Sequence, residues 1–308
     1  MPELPEVQTT VNGLNAEVRK LGIDDVWTSY GSIYHKGKAN IKNPPYFGKF
    51  KKAVIGAKIL NAERQGKNVL IHLSNGQTIL VHMKMTGHFM YGKYERKVGT
   101  KKSLEWHPQE MKGALADPFN RHIRLLFTLS NGYHLAFADT RRFAKVFVFE
   151  TKERHNIPDL EILGPDPLDK NFSLQTMSER LMLRKKWKIK QALLDQEIIS
   201  GIGNIYSDEM LWSAGIHPLS VVSEIPFDKL KKLYKAMRDV LKKGIDFGGD
   251  SVSDYRNIYG KAGEFQHKHN VYRRKGKPCP KKDGGTIERI VVGGRSTHFC
   301  AVHQKLYK

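Results

Sequence analysis

The spacing of apolar and polar positions changes along the chain, and the changes divide it into segments. Val7, Val11, Leu14 and Val18 recur at helical intervals and Gly22 follows as a stop, which predicts an N-terminal helix. Between about residues 23 and 149, short β-rich runs alternate with turn signals, at 69–73, 79–83, 123–129, 133–138 and 145–149. Ser74-Asn75-Gly76 and Ser130-Asn131-Gly132 lie between consecutive runs and supply residues that tolerate the positive φ of a tight hairpin. Residues 1–150 therefore read as an antiparallel β-sandwich domain that carries the N-terminal helix. The basic stretch 92–102, continuing to 118, shows neither period and reads as a loop or insertion. A proline-containing linker covers 151–170 and includes Leu163-Gly164-Pro165-Asp166-Pro167. Helical spacing then recurs at 174–183, 189–196, 204–214 and 227–245, giving a helical domain over 171–260. The Gly- and Lys-rich remainder, 261–308, ends in two β-like pieces at 287–292 and 296–300. The fold class is α+β with several domains.

Composition narrows the class. A chain of 308 residues holds about two domains at roughly 100–200 residues each. It contains no apolar run of the ~18 residues that span a bilayer, so no membrane association is expected. The two cysteines cannot build a disulfide framework. Glu3 and Glu6 stand where a secretory signal would be basic and then apolar. A reducing compartment follows: cytoplasm and nucleoid in a bacterium, nucleus in a eukaryote, and not secretion. The charge says more. Lys and Arg number 52 against 31 Asp and Glu, a net +21, which calls for a polyanionic partner, most simply nucleic acid.

Candidate chemistry begins at the first residues, Met1-Pro2-Glu3-Leu4-Pro5-Glu6-Val7. With Met1 removed, Pro2 is a free secondary amine. An α-amino group has a reference pKa near ~8, so part of it is unprotonated at neutral pH. Attack on an aldehyde-like carbon gives an iminium, an electron sink for later eliminations. Glu3 and Glu6 are then candidates for acid/base work. Pro5 and the two carboxylates also suit the first turn of a helix for purely structural reasons. Farther on, the glycines of Ser200-Gly201-Ile202-Gly203-Asn204 permit close backbone approach, and Asn204 opens a helix whose free N–H groups suit an anion. No Gly-Lys-Ser/Thr follows, so a nucleoside-triphosphate loop is excluded.

Together these segments resemble the formamidopyrimidine-DNA glycosylase/endonuclease VIII family of base-excision repair enzymes, from end to end of the chain. The resemblance is carried by Pro2-Glu3-Leu4-Pro5-Glu6-Val7, by Gly66-Lys67-Asn68-Val69-Leu70, by His82-Met83-Lys84-Met85-Thr86-Gly87, by Asp139-Thr140-Arg141-Arg142-Phe143 and by Ser200-Gly201-Ile202-Gly203-Asn204. It implies that Pro2 attacks the sugar C1′, that Glu3 donates the proton that opens the sugar, and that Glu6 supports the site. Lys67 would contact the phosphate beside the lesion and assist β-elimination. Met85, Arg141 and Phe143 would fill the space left by a flipped nucleotide, where a wedge and a cation offset lost stacking. Lys186, Lys190 and Asn204 would bind DNA in a helix-two-turns-helix module, and Arg295 would grip phosphate in a C-terminal β-hairpin finger and assist the second elimination. Tyr259-Gly260-Lys261-Ala262-Gly263-Glu264-Phe265 falls at the family's mobile lesion-recognition loop. Three positions depart from the pattern: Lys84 stands where Gly is usual, Thr140 where Pro is usual, and Asn120 where a DNA-contacting His is common. The finger departs too, because a zinc ribbon normally uses two Cys-x2-Cys pairs. Here Cys279 is followed by Pro280-Lys281-Lys282-Asp283 and Cys300 by Ala301-Val302-His303. The expected ligands are thus Cys279, Cys300 and His303, with Asp283 as the fourth; a hairpin without zinc is the alternative.

The implied activity is a monomeric, bifunctional DNA glycosylase/AP lyase that acts on double-stranded DNA with a damaged base or abasic site and needs no cofactor for its chemistry. Leu4-Pro5-Glu6-Val7 favours oxidised purines, such as 8-oxoguanine opposite cytosine and formamidopyrimidines, with β,δ-elimination. The rivals are an endonuclease VIII-type enzyme for oxidised pyrimidines and a non-catalytic damaged-DNA binder on the same scaffold.

Overall fold

The computed structural model describes residues 1–98, 104–110, 112–252 and 254–308. The chain forms two compact units, Met1–Ile157 with Phe247–Glu264 and Pro158–Asp246 with Phe265–Lys308.

The first unit begins with α1 (Leu4–Glu17), as the Val7, Val11, Leu14 spacing predicts, and all three side chains are buried. Then come β1 (Ile23–Thr28), α2 (Pro44–Val54), β2 (Ile59–Gln65), β3 (Asn68–Leu73), β4 (Gln77–His82), β5 (His88–Gly92), β6 (Tyr94–Val98), β7 (Leu104–Pro108), β8 (Ile123–Leu129), β9 (His134–Ala138) and β10 (Lys145–Glu150). Two antiparallel four-stranded sheets result, in the orders β1-β8-β9-β5 and β10-β4-β3-β2. Their shared core includes Ile71, Val81, Phe127, Phe137 and Val146, and α1 packs on β2, β3 and β5. Gly76 and Gly132 adopt φ of +77° and +76° at the two hairpin turns, the conformation a turn requires and an L side chain resists.

The stretch read as a loop instead contains a hairpin, since β6 pairs antiparallel with β7; residues 99–103 and 111 lie outside the described residues. Aromatic and cationic packing builds the hairpin where apolar alternation is missing. The Arg96 guanidinium lies 4.9 Å over the Trp106 ring, which meets Trp27 edge-on at 6.2 Å. Helix α2 is also not announced by periodicity. It starts on Pro44-Pro45, carries lysines on its outer face and buries only Phe50 and Val54. Residues 247–260, expected with the helical domain, make their contacts in the first unit. The Asp250 N–H donates to Glu6 Oε1 at 2.7 Å, and Ile258 joins the sandwich core.

The second unit contains α3 (Pro158–Glu161), α4 (Leu174–Met182), α5 (Ile189–Leu194), α6 (Asn204–Ala214), α7 (Phe227–Asp246), β11 (Ile287–Val292) and β12 (Arg295–Cys300). Ser173 caps α4 by accepting the Thr176 N–H at 3.0 Å, and Gly215 ends α6 in the left-handed region at φ +70°. Helix α6 is the centre of this unit, packing on α5, α7 and β12. Its contacts with α5 and β12 pass through a buried ion pair. Lys190 Nζ, fully buried, donates to Asp208 Oδ1 at 2.5 Å, Ser207 Oγ at 2.7 Å and the Asn204 carbonyl at 3.0 Å. Asp208 Oδ2 accepts the His298 N–H of β12 at 2.9 Å. Removing one partner of a buried pair leaves the other charge uncompensated, at a cost of about 3–5 kcal/mol. Lys190→Met should therefore lower unfolding free energy by that order in urea titration, and an unchanged midpoint would contradict this account of the pair.

Candidate nucleic-acid interface

In the first unit, the N-terminal groups are held by the start of α1. Glu3 is its N-cap, and Glu3 and Glu6 form a reciprocal capping box in which Glu6 Oε2 accepts the Glu3 N–H at 2.7 Å. The second oxygen of Glu6 accepts from Asp250, and the Tyr255 hydroxyl donates to the Glu6 carbonyl at 3.0 Å. Glu3 and Glu6 are 3% and 2% exposed, and Pro2 is buried beside them. Burial, with the Glu6 carboxylate nearby, pushes the Tyr255 phenol far above its usual range, so it stays a neutral donor. Lys67 lies in the two-residue turn between β2 and β3, after Gly66 at φ +59°. Arg64 ties that turn to α1, donating to the Gly66 carbonyl at 3.2 Å and to Gln8 Oε1 at 2.9 Å. Pro2, Glu3, Glu6 and Lys67 thus belong to one helix start and the hairpin braced against that helix.

Two further loops of this unit meet around Asp139. Its fully buried carboxylate accepts the Tyr30 hydroxyl at 2.7 Å, the Thr86 hydroxyl at 2.5 Å and the Ala144 N–H at 2.9 Å. Thr86 Oγ1 in turn accepts the Arg141 N–H at 3.1 Å. The knot beneath presents Met85, Arg141 and Phe143 outward as a cluster. Met85 and Phe143 are 40% and 48% exposed, and the Arg141 guanidinium lies 4.5 Å over the Phe143 ring and 3.0 Å from Met85 Sδ. Lys84 sits in the left-handed region at φ +54°, which costs a side-chain-bearing residue about 1–2 kcal/mol. A glycine, the residue that the family resemblance leads one to expect here, would not carry that strain. Asn120 is buried and ties other segments, its Oδ1 accepting from His88 Nε2 and its Nδ2 donating to the Ala114 and Gly260 carbonyls.

In the second unit, Gln196 shapes the turn before α6. Its Nε2 donates to the Leu194 and Ile202 carbonyls and its Oε1 accepts the Gly201 N–H, each at 2.9 Å. Gly201 takes φ +88° there. Asn204, at the start of α6, donates one amide hydrogen to the Ser296 carbonyl of β12 at 2.8 Å, and an amide nitrogen has a second to offer. Lys186 and Arg295 are exposed, Arg295 following the Gly293-Gly294 turn. Lys190 is different. Expected at the DNA, it has no exposure and spends its ammonium on Asp208, Ser207 and Asn204, so it is a structural strut for the Asn204 turn and not a phosphate ligand.

The finger brings Cys279, Asp283 and Cys300 together, with one donor atom from each lying within 4.8 Å of the others. His303 is not in that group; its Nε2 hydrogen-bonds the Trp212 carbonyl at 2.8 Å. A structural zinc is closed by four protein ligands, and the described residues supply three. Burial pushes the Cys300 thiol up. The hairpin instead packs Cys279, Ile287 and Cys300 against Trp212 and Val271.

Sequence reasoning did not single out Asp139, Thr86, Tyr30, Gln196 or Asp208 for roles. Asp139 and Thr86 lie inside the matched motifs and were within reach as buried polar partners; Tyr30 carries no local signal.

Two family models match the chain. Residues 1–146 match the formamidopyrimidine-DNA glycosylase N-terminal domain family, and residues 163–256 the formamidopyrimidine-DNA glycosylase H2TH domain family. A formamidopyrimidine-DNA glycosylase of Pelotomaculum thermopropionicum is 36% identical over 99% of this chain and 100% of its own, and one of Bacillus cereus 34% identical over 99% of each. Among solved structures, the MutM (Fpg) protein of Thermus thermophilus superposes with a TM-score of 0.77 at 31% identity and full coverage of both chains. A complex of the Lactococcus lactis Fpg with DNA containing an abasic site gives 0.80 at 27% identity, over 98% of this chain and 99% of that one.

The Asp139 knot yields a prediction. Thr86→Val removes a donor to a buried carboxylate and the acceptor for the Arg141 N–H. Stability should fall by about 1–3 kcal/mol, and affinity for an abasic-site duplex should fall with it, read by urea titration and by fluorescence anisotropy. Loss of neither would separate the wedge cluster from Asp139.

Proposed function

The chain belongs to the formamidopyrimidine-DNA glycosylase family, and on that premise we propose that it excises oxidised purines from duplex DNA through Pro2 and then cleaves the strand by β,δ-elimination. It is a DNA glycosylase of base-excision repair, and its partner is DNA with a damaged base or an abasic site. No helix among the described residues is long and apolar enough to cross a membrane.

The observation that carries the mechanistic reading is the start of α1, where Pro2 directly precedes two buried carboxylates locked in a capping box. With Met1 removed, the Pro2 nitrogen attacks the sugar C1′ and the base leaves with the electrons of its bond. Glu3 supplies the proton that opens the sugar, and the cation that remains is an iminium joining Pro2 to the ring-opened sugar. That iminium draws electrons from the adjacent carbon, so proton loss there expels the 3′ phosphate, and a second elimination expels the 5′ phosphate. Glu6 acts by holding the helix start, since its two oxygens are engaged by the Glu3 and Asp250 N–H groups. Lys67 and Arg295 are assigned to the phosphates and to the two eliminations. Met85, Arg141 and Phe143 are assigned to the gap of the flipped nucleotide, where their exposed, preassembled cluster suits a wedge. Lys186 and Asn204 are assigned to backbone phosphates. The same scaffold with a blocked amine would only bind damaged DNA.

Borohydride trapping on an abasic-site duplex tests the chemistry. A covalent adduct is expected with the native chain and is expected to disappear when the N-terminal amine is blocked. An adduct that survives blocking would remove Pro2 from the mechanism. For the finger, metal analysis of chain purified without added metal should find well under one zinc per molecule, and chelator should leave cleavage unchanged. One zinc per chain would show that Cys279, Asp283 and Cys300 gain a fourth ligand.

A further inference from the structure

The first unit contains a cavity of about 530 Å³ that none of the roles above uses. It is lined by His35, Lys38, Lys42, Lys84, Phe143 and Lys145 among others, and no acidic residue lines it. Lys42 is 7% exposed and makes no ion pair among the described residues; its ammonium lies 5.6 Å from the centre of the Tyr30 ring. Burial and the neighbouring Lys84 push its pKa down, while the Asp139 charge opposes the shift. His35 Nδ1 is buried without a hydrogen-bond partner among the described residues, and burial with Lys42 and Lys38 nearby lowers the His35 pKa too. Four lysines that repel one another around an open cavity, with a neutral histidine beside them, are the electrostatic complement of an anion.

The location of the cavity narrows the anion. Phe143 lines it and also belongs to the wedge cluster. Its floor is tied to the wedge loops, because Tyr30, under Lys42, donates to Asp139. Whatever fills the cavity therefore lies directly beside the point where the wedge enters a duplex. Lys67, the residue of this unit assigned to the phosphate beside the lesion, is absent from its lining. We infer that this cavity seats a backbone phosphodiester of the strand opposite the lesion, with Lys42 and Lys84 as its principal donors. The inference rests on the DNA-repair reading above and adds to it a grip on the second strand. A held opposite strand gives the wedge something to push against as the lesion nucleotide leaves the stack.

The test uses the full chain and a duplex carrying a tetrahydrofuran abasic analogue, in which single phosphates near the lesion are replaced one at a time by neutral methylphosphonates in either strand. Lys84→Gly is the main variant, because it removes the charge and relieves the left-handed strain; Lys42→Arg is the conservative companion. One opposite-strand methylphosphonate should weaken native binding about tenfold, the size of one charge-assisted contact. The same substitution should cost the Lys84→Gly chain little, and Lys42→Arg should keep most of the native sensitivity. The inference is overturned if no opposite-strand position shows this loss of coupling, or if the coupled phosphate lies in the lesion strand. Failure of the native chain to bind the unmodified duplex would count instead against the DNA-repair reading, which the borohydride adduct tests separately.

Discussion

A buried carboxylate that accepts several N–H or O–H donors is the interaction on which the rest of this structure depends. Glu6 holds the Glu3 and Asp250 amides; Asp139 holds two hydroxyls and an amide; Asp208 holds Lys190 and the His298 amide. Glu209 accepts the successive amides of Asn270, Val271 and Tyr272. Each of these anions is almost fully buried. An unsatisfied buried charge is prohibitively costly, so every one of them dictates where a loop must run. The loops so placed are the ones that carry Pro2, the Met85, Arg141 and Phe143 cluster, the Asn204 turn and the segment leading to the finger.

The same use of acids explains part of the surface charge. Carboxylates withdrawn into the interior cannot neutralise lysines outside, and an excess of 21 positive charges is left largely to the surface. Such a surface attracts duplex DNA of any sequence in a salt-sensitive way. Selectivity has to come from the few places where side chains are held in shape, and the Met85, Arg141 and Phe143 cluster, assembled through mutual contacts, is one of them.

Much of this was legible in the sequence where local chemistry is strong. The helical spacing from Val7, the two Asn-Gly turns and the matched motifs announce α1, the hairpins and the reactive groups. The β6–β7 hairpin and α2 were not legible, because stacked cations and aromatics hold the first while lysines mask the second. Lys190 shows the deeper limit. A lysine in a basic, DNA-binding segment looks like a phosphate ligand until its distance from Asp208, 18 positions away, is known. The place of His303 was hidden for a similar reason, since only the fold reveals that it lies outside the Cys279, Asp283 and Cys300 group and that its Nε2 hydrogen-bonds the Trp212 carbonyl.

Glu3 is also a residue under two masters. As an N-cap, glutamate is inferior to serine, threonine, aspartate or asparagine, and a chain selected for stability alone would drift toward those. Helix α1 instead begins with an acid whose carboxylate closes a capping box with Glu6. On the role proposed above for Glu3, replacing it by one of those caps would raise the melting temperature of the protein at the expense of its activity.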